Sequence, residues 1–316
     1  MSKSQTRVPG SLTSSLDLED FSENGCADLG LLLDPSKATE LRCWIDEHQP
    51  INQTIFYSSP EEFAKHGRWE RYAPGTDDHN LLLSSELDLS FIEDNRSFRE
   101  VCSRLCGPDY QIQKKSIIRS TPRWAIPDWI LEETLEVGRP NLNPYVRDQF
   151  QNIQHFLCTD FHQDKTRPGS DFVTLYLYLD EVEPHSSSLR LLRGSHVLGM
   201  TVYPHSLRRS HLDRKYWFYS DHLGNHKKCE DITVVGGPGS GFCFHCLTLH
   251  GTAYNDDDNP RISLRYLIKK GDTPSVCLLN DANLMVIGPH AQCHARLDVG
   301  PGGRFLKTGS SLFGAD

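Results

Sequence analysis

From about residue 150 to 270 the chain breaks into short pieces. They are too brief for ordinary helices and too rich in β-branched and aromatic residues for loops. "NIQHFLC", "DFVTLYLYL", "SLRLLRG", "DITVVGG", "GSGFCFHCLTLHG" and "RISLRYLIKK" follow one another, separated by Gly, Pro, Ser and Asp clusters. This stretch has room for roughly eight strands of five or six residues with their turns. The pattern is that of an all-β sandwich or jelly roll. In "DFVTLYLYL" the alternation puts Thr174, Tyr176 and Tyr178 on one face and Val173, Leu175, Leu177 and Leu179 on the other. A polar-aromatic face turned inward and an aliphatic face turned toward helices would suit a site inside a barrel.

The front third reads mainly as helix. "DPSKATELRCWIDEH" offers Ser36 as an N-cap before Leu41, Trp44 and Ile45, and "SPEEFAKHG" reads as a short helix closed by Gly67. "DNRSFREVCSRLCG" carries Phe98, Val101, Cys102, Leu105 and Cys106 at helical spacing, with Gly107 as a stop. "DYQIQKKSIIRS" then looks like a strand. Residues 121–148 show no clean period and read as an inserted loop near a site. The polar N-terminus reads as a disordered tail over 1–15.

Charge and cysteine usage exclude several function classes. With 33 basic and 42 acidic residues the net charge is −9, which argues against a nucleic-acid binder. The basic run "HSLRRSHLDRK" (205–215) reads as a solvated surface loop, with a clamp for an anionic substrate as the alternative. No apolar run is long enough to span a membrane, and no signal peptide is visible, so a cytoplasmic location is expected. The ten cysteines read as free, mostly buried thiols. Cys243 and Cys246 form a lone C-x-x-C without the second pair a zinc site would need. Monomer and homodimer are equally compatible with this composition.

The chemistry is carried by "FHQD" and "LHGTAYNDDDNPRISLRY". His162 and Asp164, two apart, point to one side of an extended segment. His250 follows a later apolar strand, and Arg261, Ser263 and Arg265 share one face of the next. His, Asp and a distant His form the facial triad of non-haem Fe(II) oxygenases, which leaves three positions on an octahedral iron open. A keto acid fills two and dioxygen the third. The keto acid's far carboxylate needs a cation, for which an Arg fork is best suited. Arg261 offers one.

These residues resemble the phytanoyl-CoA dioxygenase family of Fe(II)- and 2-oxoglutarate-dependent oxygenases, over roughly 94–270. "SFREVCSRLCGPDYQI" is similar to the family's helix and following step into the first core strand. "FHQD" matches its H-x-D motif, and "YLDEVEPHSSSLRLLRGSH" its stretch ending in P-G-S-H. "LHGTAYNDDDNPR" matches its H-G-(S/T)-x-x-N motif, with the arginine eleven positions after the histidine. Ser187 and Ser188 stand where the family has Asn-Gly, and Arg193 where it has Pro. The resemblance implies a mainly β fold with flanking helices around a double-stranded β-helix (jelly-roll, cupin-like) core. It implies one catalytic domain over 16–316, with a helical part at 16–110, a core at about 110–270 and an extension at 271–316.

The resemblance also implies roles. His162, Asp164 and His250 would hold Fe(II). Arg261 would pair with the distal carboxylate of 2-oxoglutarate, with Thr252 hydrogen-bonding it. Tyr176 and Gln154 would line the keto-acid pocket, and Lys114 or Lys115 would be the family's upstream lysine. Dioxygen is the co-substrate, succinate and CO2 the co-products, and hydroxylation of an unactivated C–H bond the expected outcome. Asp164 fills the position that halogenase relatives keep small for chloride. The substrate expected is a natural-product or amino-acid-derived small molecule, with an acyl-CoA as the alternative. A non-catalytic jelly-roll binding protein and a keto-acid-independent cupin-type metalloenzyme are the competing readings, and Arg261 argues against both.

Most other charged residues have plain explanations. His155, His185, His205, His211, His222, His226, His290 and His294 read as surface or loop residues. His196 would hold its turn, and His245 would face away from His250 in packing. Arg265 reads as a structural salt-bridge partner rather than a keto-acid contact, and Asp256 to Asp258 as a solvated loop.

Overall fold

The computed structural model describes residues 18–67, 87–137, 142–150, 153–164, 172–199, 206–220, 225–253, 255 and 258–271. The expected tail over 1–15 and nearly all of the extension from 271 lie outside them, as do His205, His222, His290, His294, Asp256 and Asp257.

Helix α1 (Leu18–Asn24) leads into strand β1 (Cys26–Leu31), followed by helices α2 (Pro35–His48), α3 (Pro60–His66), α4 (Ser90–Glu93) and α5 (Arg96–Cys106). Strand β2 (Gln111–Ser120) opens the barrel proper, and α6 (Asp128–Val137) interrupts before β3 (Gln154–Phe156) and β4 (Thr159–His162). Strands β5 (Val173–Tyr178), β6 (Leu189–Leu192), β7 (Ser206–Arg209), β8 (Tyr216–Ser220), β9 (His226–Val234), β10 (Ser240–His245), β11 (His250–Thr252) and β12 (Arg261–Lys269) complete the chain. They form two six-stranded sheets, one in the order β1-β10-β5-β12-β2-β3 and the other β4-β11-β6-β9-β8-β7. The pairings are antiparallel apart from β2 with β3. This is the jelly-roll core that the strand spacing predicts.

The period-2 pattern of β5 and β12 sorts the core into two layers. Leu175, Leu177, Leu179, Ile262, Leu264, Tyr266 and Ile268 face outward onto α2 and α5, where Leu41, Ile45, Phe98 and Val101 bury their side chains. Each such large apolar side chain contributes about 1.5–3 kcal/mol of burial. Tyr176, Tyr178, Ile118, Phe242 and Phe244 face inward and meet Leu189, Leu191 and Val234 of the other sheet.

Several local expectations need adjusting. Asp34, not Ser36, caps α2: its carboxylate accepts the Ser36 backbone N–H, and Pro35 occupies the first helical position, where no N–H is needed. The front third is mainly helix, as expected, but it also supplies β1, which pairs with β10 at the edge of the first sheet. Six residues are too few for a hydrophobic period to declare itself. Residues 121–148 contain α6 instead of one long loop. Ile126 and Ile130 pack there with Phe56, Phe63 and Tyr145. The basic run is only partly a solvated loop: residues 211–215 form an exposed turn, but Ser206–Arg209 is strand β7, paired with β8, and Arg209 stacks over Trp217 at 5.4 Å. Elsewhere the expected caps stand: Ser59 accepts from Glu62 at the start of α3, and Gly107 ends α5 at φ +91, where a side chain would be strained.

Candidate active site

The β4–β11 ladder places His162 directly opposite His250. Their rings lie 4.2 Å apart, and Asp164 follows two residues beyond the end of β4. Asp164 Oδ1 is 3.6 Å from His162 Nε2, and Oδ2 is 3.6 Å from His250 Nε2. One ligand atom from each of the three residues falls within 4.8 Å of the others, so the group could hold a metal ion.

The supporting bonds orient these ligands. His250 Nδ1 lies 3.0 Å from the Thr248 carbonyl, so Nδ1 carries the proton and Nε2 keeps its lone pair for a cation. The Asp164 backbone N–H donates to the Cys246 carbonyl at 3.0 Å, and Thr174 Oγ1 reaches Oδ2 at 3.5 Å. Burial lowers the His250 imidazole to about 4. Burial by itself would raise the Asp164 carboxyl, but His250, Arg265 and His162 outweigh it and hold it below the ordinary value. The site therefore presents a neutral His250 imidazole and an ionised carboxylate at neutral pH, the forms that bind a divalent cation.

Across the interior, β12 carries Arg261, Ser263 and Arg265 on the face it shares with Tyr176 and Tyr178 of β5. Arg261 is 3% exposed, with no partner for Nε or Nη1, and its guanidinium lies 5.7 Å from the Tyr178 ring centroid. Gln154 lies on β3 opposite Ile118 of β2. It is buried, and neither atom of its side-chain amide has a partner. Tyr176 is buried against Phe244, its phenol pushed up by burial. Thr252 sits two residues beyond His250 on the same face of β11. Of the two candidate lysines, Lys115 pairs with Glu93 at 2.6 Å and shares the outward face with Tyr266. Lys114 has the inward register, opposite Leu267.

The donor set fits Fe(II) with a keto acid. Two imidazole nitrogens and a carboxylate oxygen converge from one side, and a buried guanidinium with unmade hydrogen bonds waits on the facing sheet. Unpaired buried donors of this kind are costly and rare unless a ligand satisfies them.

Among the described residues the remaining histidines separate as expected, with one exception. His196 Nε2 lies 2.9 Å from the Ser22 carbonyl, and His245 Nδ1 accepts the Leu247 N–H at 3.2 Å. His155 is not a surface residue: it is buried in β3, with Nδ1 3.1 Å from Thr121 Oγ1 and its backbone N–H donating to Asn143. Ser187 adopts φ +56, a left-handed position suited to Asn or Gly. Arg193 uses the backbone N–H that a proline would lack to bond the Glu230 carbonyl at 2.9 Å. The backbone carbonyls of Thr248 and Cys246 are absent from the residues singled out by sequence, and no residue type could have signalled them. Thr174 has a place on the interior face by its alternation, but its partner Asp164 is visible only in the fold.

Residues 130–263 match the family model of phytanoyl-CoA dioxygenase, a span that includes His162, Asp164, His250 and Arg261. No curated protein sequence matches the chain. Similar solved structures include EvdO2 from Micromonospora carbonacea var. aurantiaca, at 17% identity over 86% of this chain and 96% of that one, with a TM-score of 0.49. Another is the non-heme alpha ketoglutarate dependent carbocyclase SnoK from nogalamycin biosynthesis, at 15% identity over 96% and 98%, with a TM-score of 0.48. A third is the epimerase SnoN in complex with Fe3+, alpha ketoglutarate and nogalamycin RO, at 12% identity over 82% and 84%, with a TM-score of 0.48. Among the described residues no helix is long and apolar enough to cross a membrane. Over residues 130–263, from α6 to β12, the chain is thus similar to the phytanoyl-CoA dioxygenase family.

Proposed function

We propose that this chain is an Fe(II)- and 2-oxoglutarate-dependent dioxygenase that hydroxylates an unactivated C–H bond of a small molecule of natural-product or amino-acid-derived type. His162, Asp164 and His250 hold the iron. Arg261 receives the distal carboxylate of 2-oxoglutarate with help from Thr252, and Tyr176 and Gln154 line the keto-acid pocket. Bound iron supplies the dioxygen chemistry that couples decarboxylation of the keto acid to oxidation of the substrate. The overall balance is 2-oxoglutarate, O2 and a C–H bond giving succinate, CO2 and an alcohol.

The protein's own share is positioning and exclusion of water. The Thr248 carbonyl fixes the His250 tautomer, and the Cys246 carbonyl and Thr174 hydroxyl hold the Asp164 segment. The observation that carries the reading is Arg261, buried with Nε and Nη1 unpaired on the barrel face opposite the triad. A structural metal site or a cupin-type site has no use for that cation. The retained Asp164 carboxylate favours hydroxylation over halogenation. An acyl-CoA would draw on the 205–215 run, where Arg209 stacks over Trp217 and donates to the Arg214 carbonyl while Arg208 and Arg214 are exposed.

Release of labelled CO2 from 2-oxoglutarate labelled at C1 tests this, at enzyme concentrations high enough to see a single turnover without the natural substrate. Iron-dependent release that disappears in Asp164→Gly is the expected result. An iron-bound wild-type protein that releases no label over hours would reject the dioxygenase reading.

A further inference from the structure

Arg265 lies four residues beyond Arg261 on the same face of β12, opposite Ser116 of β2 and Tyr176 of β5. At the rise of a β-strand the two arginine positions are about 13 Å apart along the backbone. Arg265 is the one beside the metal-binding group: its charge acts on Asp164 and on the Tyr176 phenol. It is 7% exposed, and neither Nε nor Nη2 has a partner. These two nitrogens share one edge of the planar guanidinium, so their N–H bonds run parallel, the geometry that meets both oxygens of one carboxylate.

A structural salt bridge does not account for this edge. Asp164 is the acidic neighbour, yet its Oδ1 faces His162 and its Oδ2 faces His250 and Thr174. With Asp164 so near, the Arg265 edge is still unfilled. Leaving two donors of a buried cation unmade is a cost that a bound oxyanion would remove.

We propose that the Arg265 edge binds a second carboxylate next to the metal site, distinct from the distal keto-acid carboxylate assigned to Arg261. The inference rests on the function proposed above and deepens it. The carboxylate comes either from the keto acid, as the one adjacent to its keto group, or from the primary substrate, which would then be an acid. Arg265 is in either case a binding residue and not merely packing.

Calorimetry on Mn(II)-loaded protein without oxygen separates these sources, using 2-oxoglutarate, pyruvate and benzoate as probes and benzamide as the uncharged control. If the keto acid is the source, Arg265→Gln weakens both 2-oxoglutarate and pyruvate at least tenfold, and Arg261→Gln weakens only 2-oxoglutarate. If the substrate is the source, both keto acids keep their wild-type affinity in Arg265→Gln. Benzoate then binds the wild-type Mn(II)–2-oxoglutarate protein, benzamide does not, and Arg265→Gln abolishes the benzoate signal. Should Arg265→Gln fail to fold, Arg265→Lys keeps the charge but not the paired edge and gives the same readings. Unchanged affinity for every probe overturns the proposal and leaves Arg265 a packing residue. Wild-type protein that takes up Mn(II) but no 2-oxoglutarate overturns the parent reading instead, and benzoate then decides on Arg265 alone.

Discussion

Burial lowers the His250 imidazole to about 4, with Asp164 opposing that shift and His162 adding to it. Its ordinary value is 6.5, so as pH falls the unfolded chain takes up this proton before the folded one does. The stability held by the neutral ring is complete above pH 6.5 and is lost progressively toward pH 4. Urea midpoints of the metal-free protein should therefore drop across that window, and His250→Gln should flatten the part of the slope that belongs to this residue. An identical slope in the variant would mean that other groups carry the acid sensitivity. The same residue shows how far residue types alone can go. His162 and His250 stand 88 positions apart (162 to 250), and only the β4–β11 register brings their rings together. Residue types and the H-x-D spacing point to the ligands. The Thr248 carbonyl that sets the tautomer leaves no trace in residue identity.

Strand β12 is held at its start by a charge network reaching from α2. Asp180 accepts the Ile262 backbone N–H at 2.6 Å and pairs with Arg42, which pairs in turn with Asp46. Asp46 also meets Arg119, a buried guanidinium of β2 that burial pushes down to about 10 and that donates to the Gln49 carbonyl. Arg261 is the residue before Ile262, so this network fixes the position of the proposed carboxylate receptor. Asp180→Ala should cost roughly 1.5–3 kcal/mol, the range for losing a charged hydrogen-bond partner. It should also raise the 2-oxoglutarate dissociation constant while leaving Mn(II) affinity near wild type. Equal weakening of both would show that the network supports the whole barrel and not β12 in particular. Elements with a strong hydrophobic period, such as β5, β12 and α5, are legible in the amino-acid order. Strand β1 and α6 are not, because they pack against distant parts of the chain, and in the β7–β8 hairpin the charged residues mask the strand period.

At the scale of the molecule, two sheets close around an interior with opposite chemical sides. One offers two imidazoles and a carboxylate to a cation, and the other offers guanidinium groups to anions. Helices α2 and α5 shield the outer face of the first sheet with aliphatic packing, so the cations stay buried and their hydrogen bonds stay unmade. The jelly-roll class is readable from strand spacing, and the family resemblance points to the same interior face. The open edge of Arg265 is not readable, since in a sequence a buried unpaired arginine looks the same as one in a salt bridge. The most direct test of this arrangement needs no substrate. Under anaerobic conditions Fe(II) and then 2-oxoglutarate are added to the apo-protein, and the weak visible charge-transfer band of an iron-chelated keto acid is followed. The band should appear in wild type, vanish in His162→Ala, and need far more 2-oxoglutarate in Arg261→Ala. Iron binding without any band would contradict the keto-acid account, and a band equally strong in His162→Ala would contradict the assigned triad.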